Sequence, residues 1–299
     1  MKLMYGVINA MTTPFNEDGS IDVESLKRQV DFQIEKGVNC LYPLGTTGEM
    51  YLLSPAERKL VAETVVKHAA GGAVVYIHVG AMTTAETCEL AAHAEAIGAD
   101  GIGAVTPSYF GCSDRAIIQY YKDISASVGK DFPIYMYSIP QCSGNDIQPA
   151  VAQAVVNQCD NVVGIKYSYP DMVRILNYIN VSRGDKGHFS VLVGPDKLFL
   201  AGLVSGADGC VSGCAGPVPE AFVAIYKAYQ AGDLQKAREL QRTAIKVIDT
   251  VRCGSDMGLF KEVLRRRGIV VNALMRRPLL ELEKADGDQV WEDLKPFLK

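Results

Sequence analysis

The chain has 299 residues, with 30 basic against 34 acidic side chains for a net charge of −4, 48% apolar and 21% charged. At 32.4 kDa folding buries about three quarters of the unfolded surface, so a large core forms without help from disulfides or metal. This balance excludes a disordered chain, offers nucleic acid no basic face, and leaves one large barrel or two smaller domains as the alternatives.

The opening residues Met1-Lys2-Leu3-Met4-Tyr5-Gly6-Val7-Ile8-Asn9 hold too short an apolar stretch for an export signal. The longest uncharged run, residues 69–85, is interrupted by glycines and His78, so no membrane span is read. Eight scattered cysteines without a CxxC pair read as free thiols, and the protein as cytoplasmic.

In chain order the sequence repeats one unit: a short apolar run, a loop, then a helical pattern. Runs at Val7–Ala10, Asn39–Leu44, Val74–Val79, Gly101–Val105, Ile134–Tyr137, Val162–Lys166, Ser190–Val193 and Gly209–Val211 predict eight strands. Most are continuously apolar, as in parallel strands buried on both faces. Helical spacing fills Val23–Lys36, Pro55–Ala69, Thr84–Ile97 and Pro149–Asn157, and Ser54-Pro55 has the cap-then-proline order of a helix start. Gly37, Gly98 and Gly206 stand where a left-handed residue ends a helix. Eight such units in about 230 residues predict an α/β fold, a closed (β/α)8 TIM barrel. A doubly wound sheet fits less well, because no GxGxxG follows the first strand. The barrel is assigned to residues 1–230 and a C-terminal helical extension to 231–299. Helices are expected at Ala221–Gln230, Leu234–Cys253, Ser255–Arg267, Pro278–Lys284 and Val290–Leu298. Arg265-Arg266-Arg267 reads as a solvated helix face, with an anion site as the alternative.

Barrel enzymes carry reactive groups at the C-terminal ends of their strands. The second strand runs into Gly45-Thr46-Thr47-Gly48-Glu49, whose amides and hydroxyls suit a carboxylate or phosphate, or which is a plain connector. The fourth ends at Thr106-Pro107-Ser108-Tyr109-Phe110, and the fifth sets Tyr135 and Tyr137 on one face, where packing alone accounts for either. The sixth finishes an apolar strand with Lys166, a residue type that resists burial. Its amine either snorkels to solvent or attacks a keto carbon to form a Schiff base. An ordinary lysine amine is neutral in about one molecule in 2,500 at pH 7, so the second use needs desolvation. It also needs a proton shuttle, for which the Tyr137 phenol is near. The four histidines lack metal-ligand spacing. No GxSxG elbow or GxxxxGKS/T loop occurs, and Cys210 and Cys214 read as packing.

Three motifs occupy successive positions: Gly45-Thr46-Thr47-Gly48-Glu49, then Tyr137-Ser138-Ile139-Pro140 with Ser143-Gly144, then Gly164-Ile165-Lys166. With them the chain resembles the dihydrodipicolinate synthase and N-acetylneuraminate lyase superfamily of pyruvate-type class I aldolases, from Gly6-Val7 and Thr13-Pro14-Phe15 to the helical tail. The resemblance implies Lys166 as the Schiff-base lysine and Tyr137 as the proton shuttle. It implies that Thr46 and Thr47 supply loop hydroxyls, Thr47 contacting the keto-acid carboxylate and relaying protons with Tyr137. It further implies that Tyr109 reaches into a neighbouring subunit's site, that the Val211 carbonyl faces substrate, and that the assembly is a homotetramer built from dimers. No cofactor and no metal is implied.

Departures narrow the reading. Dihydrodipicolinate synthases carry an arginine for the carboxylate of aspartate semialdehyde where this chain has Cys142, which lacks both charge and fork. Gly194-Pro195-Asp196-Lys197 resembles the lyases' Gly-x-Asp-Glu, whose polar groups bind a polyol tail: Gly194 and Asp196 match, and Lys197 replaces the acid. Gly213 stands where sialic acid lyases carry serine, and Tyr167-Ser168 follows the lysine. The expectation is a lyase that reversibly cleaves a 2-keto-3-deoxy sugar acid or related keto acid to pyruvate and an aldehyde. The alternatives are a dihydrodipicolinate synthase, a dehydratase using the same imine, and a binding or regulatory barrel without turnover. Lys197 either meets an acidic group on the aldehyde half or is a surface lysine at a helix start.

Overall fold

Strands apolar on both faces need cover on both, and a closed parallel ring supplies it with side chains inside and helices outside. The computed structural model, which describes residues 2–254 and 256–298, has that form. Its strands are β1 (Gly6–Ala10), β2 (Cys40–Tyr42), β3 (Val74–His78), β4 (Gly101–Val105), β5 (Ile134–Ser138), β6 (Val162–Tyr167), β7 (Ser190–Val193) and β8 (Gly209–Ser212). They pair in chain order, and β8 closes the ring on β1 from Gly6↔Gly209 to Asn9↔Ser212. Between them run α1 (Val23–Glu35), α2 (Pro55–Ala69), α3 (Thr84–Ala96), α4 (Asp114–Ala126), α5 (Pro140–Ser143), α6 (Pro149–Gln158), α7 (Met172–Ile179) and α8 (Phe199–Ser205). After β8 come α9 (Pro219–Gln230), α10 (Leu234–Thr250), α11 (Met257–Arg266) and α12 (Lys284–Leu294). The chain is therefore a (β/α)8 barrel followed by helices.

Local chemistry sets the helix ends. Ser54 caps α2 in a reciprocal box with Glu57, and Asp22 caps α1 by accepting from the Ser25 amide at 2.9 Å. Gly37, Gly98 and Gly206 have φ of 82°, 80° and 107° directly after α1, α3 and α8. β2 is shorter than the expected Asn39–Leu44, since Pro43 has no amide to pair and Leu44 turns to φ 67°.

The extension departs from expectation at two places. Residues 278–283 are irregular instead of opening a helix at Pro278–Lys284. The Leu280 carbonyl runs against Gly258, 2.7 Å from where a Cβ would sit, and the Glu281 carboxylate accepts from the Met275 amide at 3.1 Å. The last helix starts at Lys284, ahead of the expected Val290–Leu298, and tightens to a 3-10 turn at Lys295–Phe297 around Pro296. Ser255, the first residue of the expected helix Ser255–Arg267, lies outside the described residues, as do Met1 and Lys299. Arg265, Arg266 and Arg267 are salt-bridged to Glu262, Glu262 with Asp288, and Glu220, respectively. All eight cysteines are free thiols, and among the described residues no helix is long and apolar enough to cross a membrane.

Inside the ring, Ile8, Ala10, Cys40, Tyr42, Tyr76, Tyr135, Val163, Leu192 and Val211 pack with Met4, which closes the N-terminal end. Tyrosines of this size fit because glycines face them. A Cβ on Gly101 would lie 2.3 Å from the Tyr76 ring, one on Gly164 2.6 Å from Tyr135, and one on Gly103 2.0 Å from the Tyr42 hydroxyl. That hydroxyl is buried without a hydrogen-bond partner. Tyr42→Phe is therefore expected to leave stability unchanged or slightly raised, whereas Gly103→Ala costs about 1–3 kcal/mol and the pair together recovers part of the loss. Thermal unfolding of the four proteins measures this; a Tyr42→Phe chain destabilised by more than about 1 kcal/mol would contradict it.

Candidate active site

The C-terminal ends of the strands gather most of the expected residues. Lys166, on β6, is 6% exposed although it carries an amine. Its neighbours are rings: Nζ lies 4.0 Å from the centre of Tyr137 on β5 and 5.4 Å from that of Tyr42 on β2. The strand register sets Tyr137, Lys166 and Leu192 side by side. Such rings hold an ammonium loosely by their electron-rich faces while denying it water.

Tyr137 is fixed from below and behind. Its ring meets that of His78 edge-on at 5.9 Å, and His78 meets Tyr42 in the same way. Its amide donates to the Tyr121 hydroxyl at 3.4 Å, and Met50, Val105 and Ile139 pack around the side chain. His78 has its own roles assigned by its partners: Nδ1–H donates to the Leu44 carbonyl at 2.9 Å, so Nε2 is the acceptor for the Val105 amide at 3.2 Å. One neutral imidazole thus ties the ends of β2 and β4 to β3. Burial, with Arg58 and Lys166 nearby, holds its pKa well below 6.5.

The second-strand loop is a 3-10 turn at Thr46–Gly48, entered through Leu44 at φ 67° and left through Glu49 at φ 59°. Within it the Gly48 amide donates to the Gly45 carbonyl and the Glu49 amide to that of Thr46, each at 3.0 Å. The Thr46 hydroxyl is buried without a partner. The Thr47 hydroxyl borders Gly213 beyond β8: a Cβ there would lie 3.1 Å from Thr47 Oγ1 and 2.8 Å from the Phe260 ring. Position 213 is a glycine because the loop and α11 leave no room for more. Val211 is buried in the barrel interior.

The remaining expected residues divide. Cys142 sits exposed on α5, with its thiol raised by burial and drawn back by the charge of Lys166. Gly194 packs under Ser168, whose hydroxyl would be 2.1 Å from a Cβ. Asp196 turns away from the barrel interior: its carboxylate accepts from Cys210 Sγ at 3.5 Å, on the face of β8 opposite Val211, and burial raises its pKa. Lys197 pairs with Asp249 at 2.5 Å. Tyr109 is 84% exposed at φ 74°, edge-on to the exposed Phe110, and its amide donates to the Ser143 carbonyl at 3.2 Å. Its loop is held by Asn145, two residues past α5, which donates to the carbonyls of Pro107 and Phe110 at 2.8 Å each.

Sequence reasoning overlooked Tyr42 and His78, which build the floor beneath Lys166, and Lys261, whose amine meets Glu49 behind the threonine loop. The signal for Lys261 was its place among Leu259, Phe260, Val263 and Leu264 on the apolar stripe of α11. Among the described residues no three His, Cys, Asp or Glu side chains cluster so as to hold a metal.

The profile of the dihydrodipicolinate synthetase family matches residues 3–296. A protein of Escherichia coli (strain K12) named "Probable 2-dehydro-3-deoxy-D-pentonate aldolase YjhH" is 34% identical over 295 residues, covering 97% of this chain and 96% of that protein. Among solved structures, YagE of E. coli K12, determined in complex with pyruvate, superposes with a TM-score of 0.93 at 29% identity, over 99% of both chains. The dihydrodipicolinate synthase of Aquifex aeolicus superposes with a TM-score of 0.92 at 31% identity, over 98% of both.

His78 is expected to be uncharged at neutral pH and at pH 6.5, where a free imidazole is half protonated, with its proton on Nδ1. Nitrogen-15 NMR of the imidazole reads both properties, and a titration centred near 6.5 would contradict the assignment.

Proposed function

The chain belongs to the dihydrodipicolinate synthetase family, and on that premise we propose that it is a class I aldolase that reversibly cleaves a 2-keto-3-deoxy sugar acid to pyruvate and an uncharged hydroxyaldehyde. The observation that carries the reading is the buried Lys166 amine, packed over the Tyr137 ring at the catalytic end of the barrel. Lys166 in its neutral form attacks the C2 keto carbon, and the carbinolamine loses water to give an imine. The C3–C4 bond then breaks: its electrons enter the imine to leave an enamine, and the C4 hydroxyl gives up its proton as the aldehyde forms. A proton returned to C3 yields the imine of pyruvate, and water releases the product. Tyr137 carries these protons with Thr47 as relay, while Thr46 and Thr47 hold the carboxylate; the unpartnered Thr46 hydroxyl supports this. The Val211 carbonyl borders the bound acid and Gly194 lies at the far end of the pocket, with Asp196 held behind β8 by Cys210.

Two features favour a neutral aldehyde over aspartate semialdehyde. Cys142 offers no cation, and Lys197 is occupied by Asp249. The exposed Tyr109 and Phe110 pair suits cover by a second copy, so that Tyr109 completes a neighbour's site in a tetramer of paired dimers. The free thiols suit a reducing compartment, the cytoplasm.

Incubation with pyruvate and borohydride should add one reduced pyruvate to Lys166, detected by intact and peptide mass. Lys166→Ala should take none, and Tyr137→Phe should label about 10²-fold more slowly; an equal adduct in Lys166→Ala sinks the Schiff-base reading. With pyruvate as donor, glyceraldehyde-type acceptors should be turned over and aspartate semialdehyde should not. Rapid use of the semialdehyde would make the Cys142 argument wrong.

A further inference from the structure

Directly behind the threonine loop lies an ion pair that no solvent reaches. Glu49, the residue that ends the loop at φ 59°, turns its side chain away from the barrel mouth toward α11. Its Oε1 accepts from Lys261 Nζ at 2.5 Å, with side-chain exposures of 0% and 1%. The same amine donates to the Leu274 carbonyl at 2.7 Å, and Glu49 Oε2 accepts from the Arg276 amide at 2.9 Å. Phe15 fills the remaining space, its ring centre 4.1 Å from the Lys261 amine and 4.8 Å from the Arg276 guanidinium.

Arg276 extends the grip along the chain. Its guanidinium donates to the Leu52 carbonyl at 2.9 Å, to that of Gly19 at 2.7 Å, and to the Glu57 carboxylate that caps α2. Phe260, next to Lys261, supplies the ring that meets Gly213 beside the Thr47 hydroxyl. The extension thus holds Glu49, Leu52 and Glu57 from behind.

Stability alone does not explain a charged pair here. Desolvating two ions offsets most of their attraction, and apolar residues of equal volume commonly do as well or better. A left-handed non-glycine residue such as Glu49 also persists only where its surroundings over-determine it. What a buried pair does supply is one distinct placement, since any slip leaves a charge without its partner. Misplacement of a binding group by about 1 Å can cost about 10²-fold in rate.

From this geometry we infer that Lys261 is a positioning residue: through Glu49 it sets the Thr46 and Thr47 hydroxyls to receive the keto-acid carboxylate, so that the C-terminal extension is part of the aldolase site. The inference rests on the aldolase reading above. It extends that reading to a lysine separated from Glu49 by 212 residues of chain.

The test measures the pyruvate concentration for half-maximal borohydride trapping on Lys166 in wild type, Lys261→Met, Glu49→Gln and the double variant. Removing one partner strands the other charge and lowers the thermal midpoint; removing both recovers much of that loss. Stability and positioning then separate. The double variant should still need at least about tenfold more pyruvate than wild type, whereas a double variant that folds and traps at the wild-type concentration overturns the inference. A second measurement uses the wild type alone. Coupling is reciprocal, so pyruvate fixed on Lys166 should slow amide hydrogen exchange in residues 257–266 as well as 46–50, by about fivefold or more. Slowing confined to 46–50 overturns the inference even if every variant fails to fold. Absence of any adduct in wild type is a different result, which overturns the aldolase reading itself.

Discussion

The interior of an eight-stranded ring must be filled, and in this chain the filling forms the surroundings of Lys166. Val, Ile or Leu usually occupies such a space; here Tyr42, Tyr76 and Tyr135 do much of the work, with glycines on β4 and β6 cleared to receive them. The consequence lies one layer higher. Lys166 emerges onto the rings of Tyr137 and Tyr42. The packing below therefore sets the surroundings of Lys166 above, and the glycines of β4 and β6 make room for it.

The same floor accounts for the histidine. A ring that accepts one backbone amide and donates to one backbone carbonyl has no capacity left for substrate. His78 is thus a bracket between three strand ends, buried and neutral, and the rings of Tyr137 and Tyr42 face the Lys166 amine. In the proposed reaction the protons are therefore left to Tyr137, since the His78 imidazole is already committed to the backbone.

How much of this was legible in the sequence follows from the range of each interaction. Lys166 and Tyr137 could be found because strand periodicity and the barrel rule are local: an apolar run ending in lysine, and a tyrosine two residues after another, name a face and an end. Asp196 was legible only as a residue type. Its carboxylate points to Cys210 because the 3-10 turn at Asp196–Leu198 lies against the outer face of β8, a contact between segments that no local pattern records. Pro278–Lys284 failed for a related reason. Its leucines have helical and extended spacing alike, and the close approach of Leu280 to Gly258 decides for the extended form. The Glu49–Lys261 pair had a visible half, a lysine on an apolar helix stripe, while its partner lay in a motif that already had an evident use.

That pair also bears on why the chain continues past its barrel. A closed ring needs no further helices to bury its strands, yet α11 and the segment after it are tied to the threonine loop proposed to hold the keto acid. Loops at a barrel mouth are drawn from the least stable parts of a fold, and a 3-10 turn with left-handed residues at both ends holds its shape poorly alone. A rigid helix packed behind it turns a flexible cradle into a preorganised one, which is where an anion site gains selectivity without added charge. A net charge of −4 over the whole surface is then no obstacle to an anionic substrate. On the proposed reading the attraction required is confined to two hydroxyls and one amine, and the inferred task of the extension is to keep those hydroxyls where the amine can use them.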